Sequence, residues 1–170
     1  MHVSADGHKR LSESDFLYWE DLVPGVYGLG EYEFTLDEIL EFAGRFDPQP
    51  FHVDPDAAAE SQFGGLIASG WHTGSVYMGL YARHFLKYTD SIGSPGVENL
   101  RWLAPVRPGD VLRGTVELVR TQPSGSDLAR GTGFFLSHLI NQEDVVVFRM
   151  EGRGMFGRRT PASNGGAEVV

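Results

Sequence analysis

Apolar residues recur at helical spacing in "TLDEILEFAGRF" (residues 35–46), where Leu36, Ile39, Leu40 and Ala43 fall on one face. Thr35 and Glu38 compose a capping box, each side chain satisfying a free backbone N–H of the other residue. Gly44 and the Asp47-Pro48 step predict the end of this helix, and "GEYEF" before it a short strand. A second, smaller helix is predicted after Asp54, with Pro55 in its first turn and "DAAAE" as its body. "WHTGSVYMGLYARHFLKY" (residues 71–88) is apolar around most of a helical circumference, with Gly70, Gly74 and Gly79 interspersed. That pattern predicts a central helix buried on all sides, its glycines letting other backbones approach. The C-terminal half changes character. "NLRWLAPV", "DVLRGTVELVR", "GTGFFLSHLINQ" and "DVVVFRMEGRGMF" are strand-like, separated by the turns "RPGD", "PSGSD" and "NQED". Short connections between such strands predict an antiparallel meander, and a helix enclosed by a curled antiparallel sheet is an α+β architecture.

Composition narrows the class without changing this picture. The 170 residues suit one domain, placed at 14–157, with polar stretches at 1–13 and 158–170 read as flexible tails. With no cysteine, disulfides, thiolate catalysis and cysteine-ligated zinc are excluded. No run is long and apolar enough for a membrane span, and the polar N-terminus has no signal-like core, so a cytoplasmic protein without a membrane partner is expected. The net charge of -9 argues against a nucleic-acid partner. A small anionic ligand stays compatible with it, through a local patch of Arg101, Arg107 and Arg113 or through other basic groups; the alternative is that these arginines are ordinary surface charges.

The candidate chemistry lies in "FDPQPFHVDP" (residues 46–55), where Asp47 and His52 stand five apart in a loop stiffened by Pro48 and Pro50. A carboxylate and an imidazole that converge can share a water and move protons to and from a substrate. The structural alternative has Asp47 capping backbone and His52 filling a polar niche. Eighteen residues on, Gly70 stands at the predicted start of the central helix, where an unpaired amide can stabilise a developing oxyanion; on spacing alone a packing glycine remains open. His72, His84 and His138 read as satisfied structural histidines. A metal reading recruiting Asp47, His52, Asp54 and His72 matches no recognised ligand spacing, and no metal is expected.

"FDPQPFHVDPDAA", "FGGLIASGWHTGSV" and "LRWLAPVRPGDVLRGTVELV" together resemble the MaoC-like dehydratases, the (R)-specific enoyl-CoA hydratase branch of the hotdog superfamily. That family carries Gly-Asp-x-Asn-Pro-x-His, a glycine at a helix start, and a later Pro-x-x-x-Gly-Asp turn. Asp47, Pro50, His52 and Gly70 match in identity and spacing, as does "PVRPGD" from Pro105 to Asp110. Gln49 replaces the usual Asn, Phe46 the usual Gly, and Met78 stands where a small polar residue lines the family's oxyanion region, with Ser69, Thr73 and Ser75 as nearby hydroxyls. The resemblance implies a hotdog fold, an antiparallel sheet around one long helix, assembled as a homodimer or a dimer-based higher oligomer. It implies a hydro-lyase of fatty acid metabolism that reversibly hydrates a 2-enoyl thioester of coenzyme A, or of acyl-carrier protein, to the (R)-3-hydroxyacyl product. Asp47 and His52 are the implied catalytic pair; Gly70, Gln49, Phe51, Ser69 and Trp71 are the expected substrate contacts. No cofactor is expected, coenzyme A being part of the substrate. The same fold leaves two alternatives: an acyl-CoA thioesterase, or a non-catalytic subunit that binds acyl thioesters.

Overall fold

Thr35 and Glu38 start the first helix as the capping pattern predicts: the Glu38 amide donates to Thr35 Oγ1 at 3.3 Å, and Thr35 Oγ1 donates to the Glu38 carboxylate at 2.8 Å. That helix, α1, spans Leu36–Phe46 and buries Ile39 and Ala43. It runs through Gly44, whose missing side chain faces open space, and stops only where Pro48 removes the next amide. The computed structural model describes residues 1–159. Within them α2 (Pro50–Val53), α3 (Pro55–Glu60) and α4 (Gly70–His84) follow α1 in chain order. Asp54 caps α3 through the amides of Asp56 and Ala57, with Pro55 at the first helical position. The strands are β1 (His2–Val3), β2 (Lys9–Arg10), β3 (Gly25–Glu33), β4 (Ser91–Gly93), β5 (Val97–Trp102), β6 (Val111–Pro123), β7 (Arg130–Ile140) and β8 (Val146–Gly157).

All eight strands form one sheet in the order β1-β2-β3-β6-β7-β8-β4, with β5 also pairing β8. β6, β7 and β8 are the predicted meander, and β7 shows why: its inward residues Gly131, Gly133, Phe135, Ser137 and Leu139 alternate with partly exposed neighbours. β5 departs from the meander. It lies beyond β8, at the far side of the sheet from β6, so residues 103–110 must cross the end of the sheet. That crossing passes over the start of α4, where the Ala68 amide donates to the Val106 carbonyl at 2.8 Å. The N-terminal stretch, expected as a flexible tail, instead adds two short strands, and β2 lies parallel to β3 with Lys9 opposite Tyr27. The sheet is therefore mixed. The C-terminal stretch lies outside the described residues from 160 onward; Arg158 and Arg159 pair with Glu20 and Asp21.

The sheet curls around α4, whose Val76, Tyr77 and Leu80 pack into a core with Tyr27, Leu29, Phe34, Leu112, Val116, Leu139 and Phe148. Two deeply buried hydroxyls meet there, as Tyr77 bonds Ser137 at 2.5 Å. The expectation that α4 is buried all round fails on one side. Trp71 and Met78 keep 60% and 45% of their surface exposed, because the single chain's sheet wraps only part of the helix.

Candidate active site

Asp47 is the residue on which α1 ends, with φ −153° and ψ 67°, and its amide closes the helix on the Ala43 carbonyl. Gln49 then caps α2, and Pro50 fills its first position. The stretch read as a stiff loop is thus one helical turn carrying His52 inward, with only 5% of His52 exposed. Residues 66–69, leading into α4, are held from both sides: Ile67 donates to Phe51, and Ala68 to Val106 of the crossing segment.

Three elements far apart in sequence meet at this point. Asp47 Oδ2 lies 3.4 Å from His52 Nε2 and accepts a hydrogen bond from Ser69 Oγ at 2.6 Å. Its Oδ1 accepts from Gln49 Nε2 at 2.8 Å. The Ser69 hydroxyl, then the Gln49 amide and the nearby imidazole of His52, hold the Asp47 carboxyl below its ordinary range despite partial burial. His52 Nδ1 lies 2.8 Å from the Ile67 carbonyl, which can only accept, so Nδ1 carries the proton. That tautomer leaves a lone pair on Nε2, facing Asp47. The two acceptors stand side by side, so a water molecule in front of them can reach both.

Both groups line a cavity of about 450 Å³. Gln49, Phe51, Gly70 and Trp71 line it too, and Phe51 packs edge-on against the imidazole with ring centroids 4.5 Å apart. Gly70 is the first residue of α4, where a backbone N–H has no partner within the helix. Ser69 stands apart from these four. It is fully buried behind the wall, bonding Asp47 and capping α4 through the Trp71 amide, and it contacts no cavity space. Met78 lies well along α4, on a separate apolar cavity of about 170 Å³ with Tyr81, Phe135 and Met150. Of the neighbouring hydroxyls, Thr73 lines the main cavity, while Ser75 bonds back to the Trp71 carbonyl. Phe63, Trp102 and the crossing residues Leu103 to Val106 complete the walls, none of them a site expectation from sequence. The signal for Trp102 to Val106 was the "RWLAPV" stretch, which read as a strand leading to a turn.

The other expectations divide. Arg113 pairs with Asp144, Arg101 bonds the adjacent Leu100 carbonyl, and Arg107 ties down the Phe63 carbonyl at 2.6 Å, so each is engaged separately. His72 is buried against Phe42, ring on ring at 4.7 Å, and its Nδ1 has no partner among the described residues, contrary to the satisfied histidine expected there. Burial holds His72 below the usual imidazole range. Among the described residues no group of three or more His, Asp or Glu is arranged to hold a metal ion. No helix among them is long and apolar enough to cross a membrane.

A sheet curled around one long helix, with a largely apolar cavity at the helix start that carries a few polar groups, defines a protein of the hotdog fold. Residues 27–132 match the MaoC like domain, and the chain belongs to that family. It is 36% identical to the uncharacterized protein YdeM of Bacillus subtilis over 126 residues, covering 74% of this chain and 88% of that protein. It is 29% identical over 118 residues to the 3-hydroxybutyryl-CoA dehydratase of Methylorubrum extorquens, covering 66% of this chain and 71% of that enzyme. The crystal structure of the MaoC-like dehydratase from Rhodospirillum rubrum superposes with a TM-score of 0.75 at 38% identity, covering 85% of this chain and 99% of that one.

Proposed function

We propose that the protein reversibly adds water across the 2,3 double bond of an acyl thioester of coenzyme A, giving the (R)-3-hydroxyacyl thioester. The observation that carries this reading is the Asp47–His52 pair, 3.4 Å apart with Nε2 free, on the wall of the cavity that Gly70 shares. The thioester carbonyl accepts a hydrogen bond from the Gly70 amide, and a water stands in front of Asp47 and His52. The water oxygen bonds C3 while its proton passes to Nε2. The double-bond electrons move into an enolate whose oxygen rests on the Gly70 N–H, an interaction worth about 3 kcal/mol. Nε2–H then returns a proton to C2, and the carbonyl reforms. Asp47, held ionised, orients the water and stabilises the transient imidazolium beside it.

Gln49 holds the free oxygen of Asp47, so the longer amide takes the orienting role of the family's Asn. The (R) outcome and the coenzyme A carrier follow the family resemblance, with acyl-carrier protein as the other carrier. The exposed side of α4 supports assembly with a second copy, to be checked by the mass in solution. The test of the reaction is incubation with a series of 2-enoyl-CoA esters. Loss of the conjugated absorbance without release of thiol is the expected result; release of thiol points to a thioesterase, and no change at any chain length overturns the proposal.

A further inference from the structure

Gly70 poses a question of its own. Its φ lies outside the positive region reserved for glycine, since it sits within ordinary α-helix, so backbone conformation does not demand the residue. Space does. A Cβ at position 70 would stand 2.7 Å from both Cδ2 and Nε1 of Trp102, and nearer still to Cε2. The other glycines of α4 differ. A Cβ at Gly74 would only touch Phe148 at 3.9 Å, and one at Gly79 would meet the movable end of Arg83.

The indole is also bonded to the residue it covers, as Trp102 Nε1–H donates to the Gly70 carbonyl at 2.7 Å. Trp102 is well anchored for this purpose. It ends β5 opposite the fully buried Phe148, and the next amide, Leu103, donates to Val147 at 2.8 Å. A shift of register between Glu98 and Arg101, with Asn99 at φ 48°, sets the final direction of the strand. Trp71 braces the outer edge of the ring at 5.3 Å in a T-shaped contact. Yet Trp102 stays 45% exposed at the cavity wall, so burial of its surface does not account for so large a side chain there.

We propose that Trp102 is the positioning residue of the Gly70 amide: its N–H···O bond holds the 70–71 peptide and its ring face covers the Gly70 α-carbon, and together they fix the residue whose own N–H, in the adjoining 69–70 peptide, has no partner within α4. The pair works as a unit, glycine making room for the indole and the indole holding the glycine. This rests on the proposed hydration, in which that amide meets the thioester oxygen.

The test is a cycle of Trp102→Phe, Trp102→Ala, Gly70→Ala and the Gly70→Ala/Trp102→Ala double variant, followed by enoyl-CoA kinetics and thermal unfolding. Trp102→Phe keeps a ring over Gly70 and loses only the donor, so kcat falls about tenfold with KM nearly unchanged, the effect of one hydrogen bond. Gly70→Ala lowers both the melting temperature and the rate in the presence of the indole. In the Trp102→Ala background the same change costs little, and the double variant is more active than Gly70→Ala alone. Wild-type kinetics for Trp102→Phe, or strictly additive melting shifts across the cycle, overturn the proposal. A wild-type protein inactive on every enoyl-CoA defeats the hydration reading alone, and the melting cycle then decides whether Gly70 and Trp102 are a coupled pair.

Discussion

Replacing Ser69 with alanine removes one hydrogen bond and isolates what that bond does to Asp47. The Ser69 hydroxyl donates to Asp47 Oδ2 at 2.6 Å from a fully buried position, where no water can take its place. A hydrogen bond to a charged group is worth about 1.5–3 kcal/mol. Its loss therefore lets the Asp47 carboxyl titrate higher than it does in the native protein. Asp47 keeps its Gln49 bond and some contact with water, so we expect the lower end of that energy range. Asp47 titrates below 3.8, so its bond contributes stability that is present above that value and is lost as pH falls through the folded-state pKa. The variant is therefore less stable at neutral pH, and this part of the deficit closes on acidification. A second part does not close: Ser69 also caps α4 through the Trp71 amide, worth about 1 kcal/mol at any pH. The assay is a carbon-13 NMR titration of the side-chain carboxyls, with Asp47→Asn identifying the resonance. An upward move of the Asp47 midpoint supports the account. An unmoved midpoint with a pH-independent loss of stability shows that Ser69 is only a helix cap and refutes it.

Further outcomes follow from other contacts. Asp47→Asn and His52→Gln, both close in shape to the originals, should each slow hydration by about 10²–10⁴-fold while circular dichroism stays native; rates near wild type in either would remove that residue from the mechanism. Ser137→Ala leaves the buried Tyr77 hydroxyl without its partner and should cost about 1–3 kcal/mol in urea unfolding. Adding Tyr77→Phe should recover part of that loss, and a larger loss in the double variant would contradict the pairing. Thr35→Ala breaks the capping box of α1 and should lower stability by about 1 kcal/mol without altering kcat.

Contacts close along the chain were legible in the sequence, and contacts across it were not. The Thr35–Glu38 cap, the Asp54-Pro55 helix start and the β6–β7–β8 meander each depend on residues near one another, and each formed as expected. The place of β5 beside β8 depends on a crossing of the whole sheet, which no local pattern records. Residues 1–13 read as a tail because their polarity suits solvent. Their strands are nevertheless held through backbone pairing to β3, which asks little of side chains. The site divides in the same way. Asp47, His52 and Gly70 were visible through spacing and family resemblance. Ser69 was expected as a substrate contact, and its bond to Asp47, which spans 22 residues, left no local pattern. Trp102 reaches Gly70 across 32 residues and looked like any strand aromatic.

The central claim is that water adds to the acyl chain and leaves the thioester intact. Incubation with a short 2-enoyl-CoA in oxygen-18 water, read by mass spectrometry of the intact product and its fragments, addresses it directly. The account predicts a single heavy oxygen on C3 of an unbroken 3-hydroxyacyl-CoA, absent with Asp47→Asn or His52→Gln. Label in a free carboxylate, or in no product at all, would contradict it.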